Sequence, residues 1–260
     1  MATKPFKVHK RLLRRVNTAY PCPRISQEWL RTTVQDRVNT HGHQADFNFP
    51  MLCQEISDAI EGSSFANITE PGSGLSEWVT RDYTHVLLKG PVVLELVHLT
   101  DVGISAMTLE GVRQERERQI YLDRVGHTSN SQEGRMQREL RWVRPELEPY
   151  PRRRLKLFLS DGSVELQAIE LEHLPNLELG VTPMGTKVHL KDVEIVGGVA
   201  CLRKKNVMVM GGIVESLQKL HHLRLYEELS RRMDSEESDA GMEGVSPEEL
   251  YLEHLNIGDL

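Results

Sequence analysis

The alternation RLKLFLSDGSVELQAIELE, Arg154 to Glu172, constrains this chain more than any other stretch. Apolar residues recur at every second position on both sides of Asp161-Gly162, the period of a strand with one buried face. Asp-Gly between two such runs predicts a two-residue hairpin turn, whose geometry needs positive φ. That turn sets Leu155, Leu157 and Leu159 across from Ala168, Leu166 and Val164, all six on one interior face. A chain with this hairpin must build a sheet around it.

The partners of the hairpin lie on either side in sequence. GPVVLELVHLTDVG, Gly90 to Gly103, is dense in Val and Leu without helical spacing and predicts a long first strand. After the hairpin, TKVHLKDVEIVGGVACLRKKNVMVMGG, Thr186 to Gly212, predicts strands around Lys187 to Ile195, Val199 to Arg203 and Asn206 to Met210. Five strands with a central hairpin and a flanking helix, Ile213 to Met233, fit an OB-type barrel. Between the first strand and the hairpin the β pattern stops. Leu109 to Tyr150 is charged, short of β-branched residues and closed by Pro145 and Pro149, so an insertion of about forty residues replaces a hairpin loop of the usual 2 to 5.

Ahead of the barrel the period changes to three and four. In SQEWLRTTVQDRV, Trp29, Leu30, Thr33, Val34 and Val38 share one side behind a capping Ser26, and Met51, Leu52, Ile56, Ala59 and Ile60 repeat the spacing from Pro50 until Gly62. A shorter helix starts near Ser76. Helices this short need each other's apolar faces, which predicts a small bundle. The expected architecture is therefore α+β: an N-terminal helical bundle over residues 1–83, then a five-stranded OB-fold β-barrel with a C-terminal helix over 84–233. The long insertion, about 104–152, lies between strands 1 and 2, and an acidic, disordered tail covers 234–260.

Several function classes are disfavoured. The net charge of -6 and the 5% aromatic content are unlike a nucleic-acid coat protein, and Phe158 is the only ring on the barrel strands, where non-specific single-strand binders stack several bases. Cys22, Cys53 and Cys201 are widely spaced and give neither a disulfide framework nor a zinc pattern. His41 with His43, and His221 with His222, lack a third ligand at spacing. The glycine-rich text around Pro71 to Ser76 lacks the Lys of a phosphate loop. No apolar run has the length of a membrane span. With no nucleophile and base, metal cluster or cofactor motif, the expectation is a protein that is not an enzyme and has no cofactor.

Three places remain for binding. Arg152, Arg153 and Arg154 form a basic cluster at a strand start and are candidates for DNA phosphate contact, weighed against a solvated strand end. Trp142 and Val143, flanked by Arg141 and Arg144, have the composition of an interface anchor. Ile120, Tyr121 and Leu122 are apolar among many charges in the same insertion, read as a mobile loop that becomes ordered on a partner. Lys187, after Gly185-Thr186, reads as an exposed strand-end lysine.

Taken in order, PRISQEWLRTTV, GPVVLELVHLTDVG, RLKLFLSDGSVELQAIE, PMGTKVHLKDVEIVGGVACLRKKNVMVMGG and IVESL resemble the RecQ-mediated genome instability protein 1 family, from about Pro23 to Arg232. With no second OB-type pattern following, the likeness is to the short fungal form. The resemblance implies a nuclear, non-catalytic scaffold of the complex of a type IA topoisomerase III and a RecQ-family helicase. Such a scaffold slows closure of the topoisomerase gate and favours double Holliday junction dissolution, in DNA replication, DNA repair and genome stability. It also implies that the insertion, with Ile120, Tyr121, Leu122, Trp142 and Val143, reaches into the gate, and that Lys187 lies on the topoisomerase-facing side. DNA binding would be weak. Two alternatives stay open: a single-stranded DNA-binding OB-fold protein, and a Tudor-type topoisomerase III partner.

Overall fold

The computed structural model describes residues 8–41, 48–128 and 147–242. Helices α1 (Lys10–Ala19), α2 (Gln27–His41), α3 (Phe49–Glu61) and the one-turn α4 (Phe65–Ile68) come first, followed by a 3-10 turn at Glu77–Thr80. Their starts are capped as the sequence asks: Ser26 Oγ accepts the Trp29 N–H of α2, and Asn48 Oδ1 accepts the Met51 N–H of α3. Leu12, Val16, Leu30, Val34, Ile56, Ile60 and Phe65 make their shared core. Val93 belongs to that core and Met210 packs against it, so the bundle closes on the sheet rather than on itself.

The sheet has eight strands among the described residues: β1 (His85–Leu88), β2 (Val92–Asp101), β3 (Leu155–Ser160), β4 (Glu165–Glu170), β5 (Lys187–Leu190), β6 (Val193–Val196), β7 (Val199–Leu202) and β8 (Val207–Gly211). Their order is β1-β6-β7-β4-β3-β2-β5-β8. Seven of these cover the runs read as strands, one of those runs being broken in two. Asp192, at φ 53, breaks the run from Lys187 into β5 and β6, and a 3-10 turn at Lys204–Asn206 separates β7 from β8. The eighth, β1, pairs with β6 and is an addition to the expected set. Because β2 pairs with β3 on one side and β5 on the other, while β7 pairs in parallel with β4 and antiparallel with β6, the sheet curls round on itself. That is the OB arrangement. Every residue of the central β2 is buried.

The hairpin corrects the expected register. Leu157 faces Ala168 and Leu159 faces Leu166, so the turn has four residues, Asp161 to Val164. Asp161 is the reason. Its Oδ1 accepts the N–H groups of Ser163 and Val164, a local side-chain turn that outcompetes the two-residue form, and its backbone N–H bonds to the Val164 carbonyl. A shift of two residues keeps every side chain on its own face. Leu155, Leu157, Leu159, Leu166 and Ala168 are all buried as expected, whereas Val164 moves into the turn.

The insertion also differs from its reading as loop. It opens with α5 (Ala106–Thr128), a 23-residue helix. The chain ends its described part with α6 (Glu215–Met242), which runs on past Asp234, where the sequence starts its acidic tail. Described residues up to Gly103, with Arg152–Leu223, form one compact unit, and the described residues within Ile104–Pro151, with those from Arg224 on, form a second. The expected boundary at 83/84 falls inside the first.

Candidate functional site

The insertion leaves and rejoins the barrel at a pair of buried carboxylates. Asp101, the last residue of β2, accepts the backbone N–H of Gly103 on Oδ1 at 2.8 Å, of Arg153 on Oδ2 at 2.6 Å, and of Arg154 on both oxygens. Glu170, the last residue of β4, accepts the Leu155 N–H and the Arg152 guanidinium, the latter at 2.6 Å. Every backbone N–H from Arg153 to Leu155 thus meets a charged acceptor, the stronger class of hydrogen bond. The two roots are held together at one point of the barrel rim.

This corrects the reading of Arg152 as a phosphate contact. Its guanidinium is turned inward to Glu170 and to the carbonyls of Leu174 and Leu177. Arg153 and Arg154 have exposed side chains.

Helix α5 starts with Ser105 Oγ accepting the Thr108 N–H. Its charges, read in the sequence as a loop signature, pair along the helix. Arg113 forks onto Glu110 at 2.6 and 2.7 Å and reaches Glu117, and Arg118 forks onto Glu115. Arg113 holds the Glu110 carboxyl below the usual carboxylate range, against the opposing pull of burial. The returning segment grips the same helix: Arg116 donates to the Glu148 carbonyl at 2.6 Å and lies 4.9 Å from the Tyr150 ring centroid. On α6, Tyr226 stacks under the Arg113 guanidinium at 5.1 Å, and Arg232 donates to the Ile104 carbonyl at 2.6 Å.

Beyond this gripped base the helix carries Ile120, Tyr121 and Leu122, which are 38%, 64% and 52% exposed. These three apolar residues point round the helix rather than along one face, each open to solvent, and Tyr is of the type enriched at interface hot spots. Trp142 and Val143, the other anchors expected in the insertion, lie outside the described residues.

Lys187 is a correction. Far from exposed, its side chain is 0% accessible, and its ammonium is bonded to Glu95 at 2.7 Å and to the carbonyls of Ser63 and Gly185. A lysine so enclosed has no surface to offer a partner. The signal for it was the lone Glu95 in the apolar run VVLELV: a carboxylate buried mid-strand needs a cation. Missed in the same way were Asp101 and Glu170, whose partners are backbone groups that sequence does not distinguish. No helix among the described residues is long and apolar enough to cross a membrane.

A family model described as the RMI1 N-terminal OB-fold domain matches residues 66–224. RecQ-mediated genome instability protein 1 of Danio rerio is 34% identical over 203 residues, covering 76% of this chain and 37% of that protein. Its Mus musculus counterpart is 32% identical over 152 residues, 56% of this chain and 24% of that one. Tudor domain-containing protein 3 of Xenopus laevis is 36% identical over 94 residues, 36% of this chain and 14% of that one. The chain spans 37% or less of the length of these curated relatives. The matched region takes in the barrel, both roots of the insertion and the start of α6, well over half of the sequence, and on that breadth the chain belongs to the RMI1 N-terminal OB-fold family.

Proposed function

We propose that this chain is a non-catalytic scaffold in genome stability, acting in the nucleus within a complex of a type IA topoisomerase III and a RecQ-family helicase. It holds the topoisomerase and promotes dissolution of double Holliday junctions. The observation that carries this reading is the insertion arm: a helix fixed at its base, with Ile120, Tyr121 and Leu122 open to solvent at its far part, set into a barrel of a family named for RecQ-mediated genome instability. Exposed Arg153 and Arg154 beside the arm's root supply weak contact to DNA phosphates. The test is co-purification with topoisomerase III from the same source, followed by junction dissolution with and without the chain. Retention of the enzyme and faster dissolution are expected; a chain that neither binds nor stimulates the topoisomerase overturns the reading.

The match to Tudor domain-containing protein 3 of Xenopus laevis favours a second reading, a Tudor-type partner of topoisomerase III. The form of topoisomerase III retained in the same co-purification separates the two.

A further inference from the structure

The second compact unit contains the whole described part of the insertion and draws its other described residues from α6 alone. That composition has a physical reason. Helix α5 buries Ala106 and Leu109 in its first turn, but from Arg113 to Leu122 its side chains are polar or solvated, and an isolated helix of such residues is marginal in water. Something outside the helix must hold it.

Contacts from α6 do so. Tyr226 offers its ring face to the Arg113 guanidinium, whose edge is already filled by Glu110 and Glu117, so the cation is enclosed by one aromatic and two carboxylates. Arg232 takes the Ile104 carbonyl, just ahead of the first turn, and fixes the direction in which the chain enters the helix. Tyr226 is 51% exposed, while Leu225 and Leu229 of the same helix are buried. The ring faces an arginine of the insertion rather than the core.

We propose that Tyr226 and Arg232 of α6 are positioning residues for the docking arm, keeping α5 formed before the partner arrives so that Ile120, Tyr121 and Leu122 are presented on a preformed helix. This rests on the scaffold reading for the identity of the partner. A preformed arm spares the ordering cost that a disordered segment meets on binding, so the brace governs apparent affinity rather than the effect of the bound scaffold.

The test uses the full chain with Tyr226→Ala combined with Arg232→Ala, and Tyr226→Phe as the conservative control that keeps the ring. Hydrogen exchange read by mass spectrometry over 106–120 should be about thirtyfold or more faster in the double variant, as expected for loss of one cation–π contact and one hydrogen bond to a charged group. Barrel peptides over 155–170 should be unchanged, and the Phe variant should match the parent. Titration against topoisomerase III should show a raised apparent Kd in the double variant with the same stimulation at saturation. Unchanged exchange in α5 overturns the brace, and faster exchange with an unchanged Kd overturns its role in presenting the arm. A parent chain that ignores the topoisomerase counts against the scaffold reading alone, since the exchange measurement still decides the brace.

Discussion

The ammonium of Lys187 lies 2.7 Å from Glu95 Oε1, with both side chains out of solvent and their strands β5 and β2 paired at those two residues. The pair reaches further than the sheet. Glu95 Oε2 accepts Ser64 Oγ–H and the Phe65 N–H at the start of α4, and Lys187 sits 4.7 Å over the Phe65 ring. Burial pulls the Lys187 pKa below its ordinary value while Glu95 opposes the shift. The helical bundle is thereby keyed to the barrel through one buried charge pair.

Lys187→Ala should cost about 3–5 kcal/mol in urea unfolding, because it strands the Glu95 carboxylate. Lys187→Glu, which would be mild at an exposed strand end, should be worse still. Lys187→Met with Glu95→Gln removes both charges and leaves an acceptor for Ser64 and Phe65, so it should recover much of the loss. A Lys187→Ala protein with the parent's unfolding midpoint would show that the pair contributes nothing.

Asp101 makes a separable claim about the roots of the insertion. Asp101→Ala leaves the N–H groups of Gly103, Arg153 and Arg154 without their acceptor and should destabilise the fold by roughly 2–4 kcal/mol. Asp101→Asn, which keeps one acceptor oxygen, should fall between that variant and the parent. Thermal unfolding of the three proteins checks the order, and equal melting temperatures would remove Asp101 from the clamp.

The elements that were legible in the sequence are those whose cause is periodic. The spacing of Leu30 and Val34, or of Ile56 and Ile60, follows from a helix with one buried face, and the alternation through Leu155, Leu157 and Leu159 follows from a strand with one. Features decided by a single side chain's partner were not. The Asp161 carboxylate chose a four-residue turn over the Asp-Gly hairpin. In α5 the same Glu and Arg residues that read as loop by composition are good helix formers, and their three- and four-residue spacing pairs them only once a helix exists. Lys187 and Glu95 are ninety-two positions apart, and only the fold brings them together.

His221 gives a pH signature. Its Nδ1 is 2.8 Å from His98 Nδ1, so one ring must accept, and burial, with His98 and His222 nearby, pushes the His221 pKa from 6.5 down to about 3. A folded-state pKa below the unfolded one means that the unfolded chain binds more protons between those values. Stability from this site is therefore complete above about pH 6.5 and is lost as pH falls towards 3, at up to about 1.4 kcal/mol per pH unit. Urea midpoints measured at pH 7, 6 and 5 should decline in the parent, and His221→Gln should flatten that decline. A parent and variant with parallel profiles would place the acid sensitivity elsewhere.

The arm's far part separates binding from folding most cleanly. Ile120, Tyr121 and Leu122 are exposed, and replacing all three by Ala retains the best helix former at each position, so α5 should keep its form and the melting temperature should stay within about half a kcal/mol equivalent of the parent. Under the proposed function, loss of these three apolar side chains, one of them a tyrosine, should weaken topoisomerase III binding by at least 2 kcal/mol, roughly thirtyfold, with junction dissolution falling in step at limiting scaffold. Calorimetric melting and a binding titration on the same preparations measure the two effects. If the triple variant bound with the parent's affinity, the contact would have to lie elsewhere on the chain. A lowered melting temperature would instead show that these residues pack within the free protein, against their observed exposure.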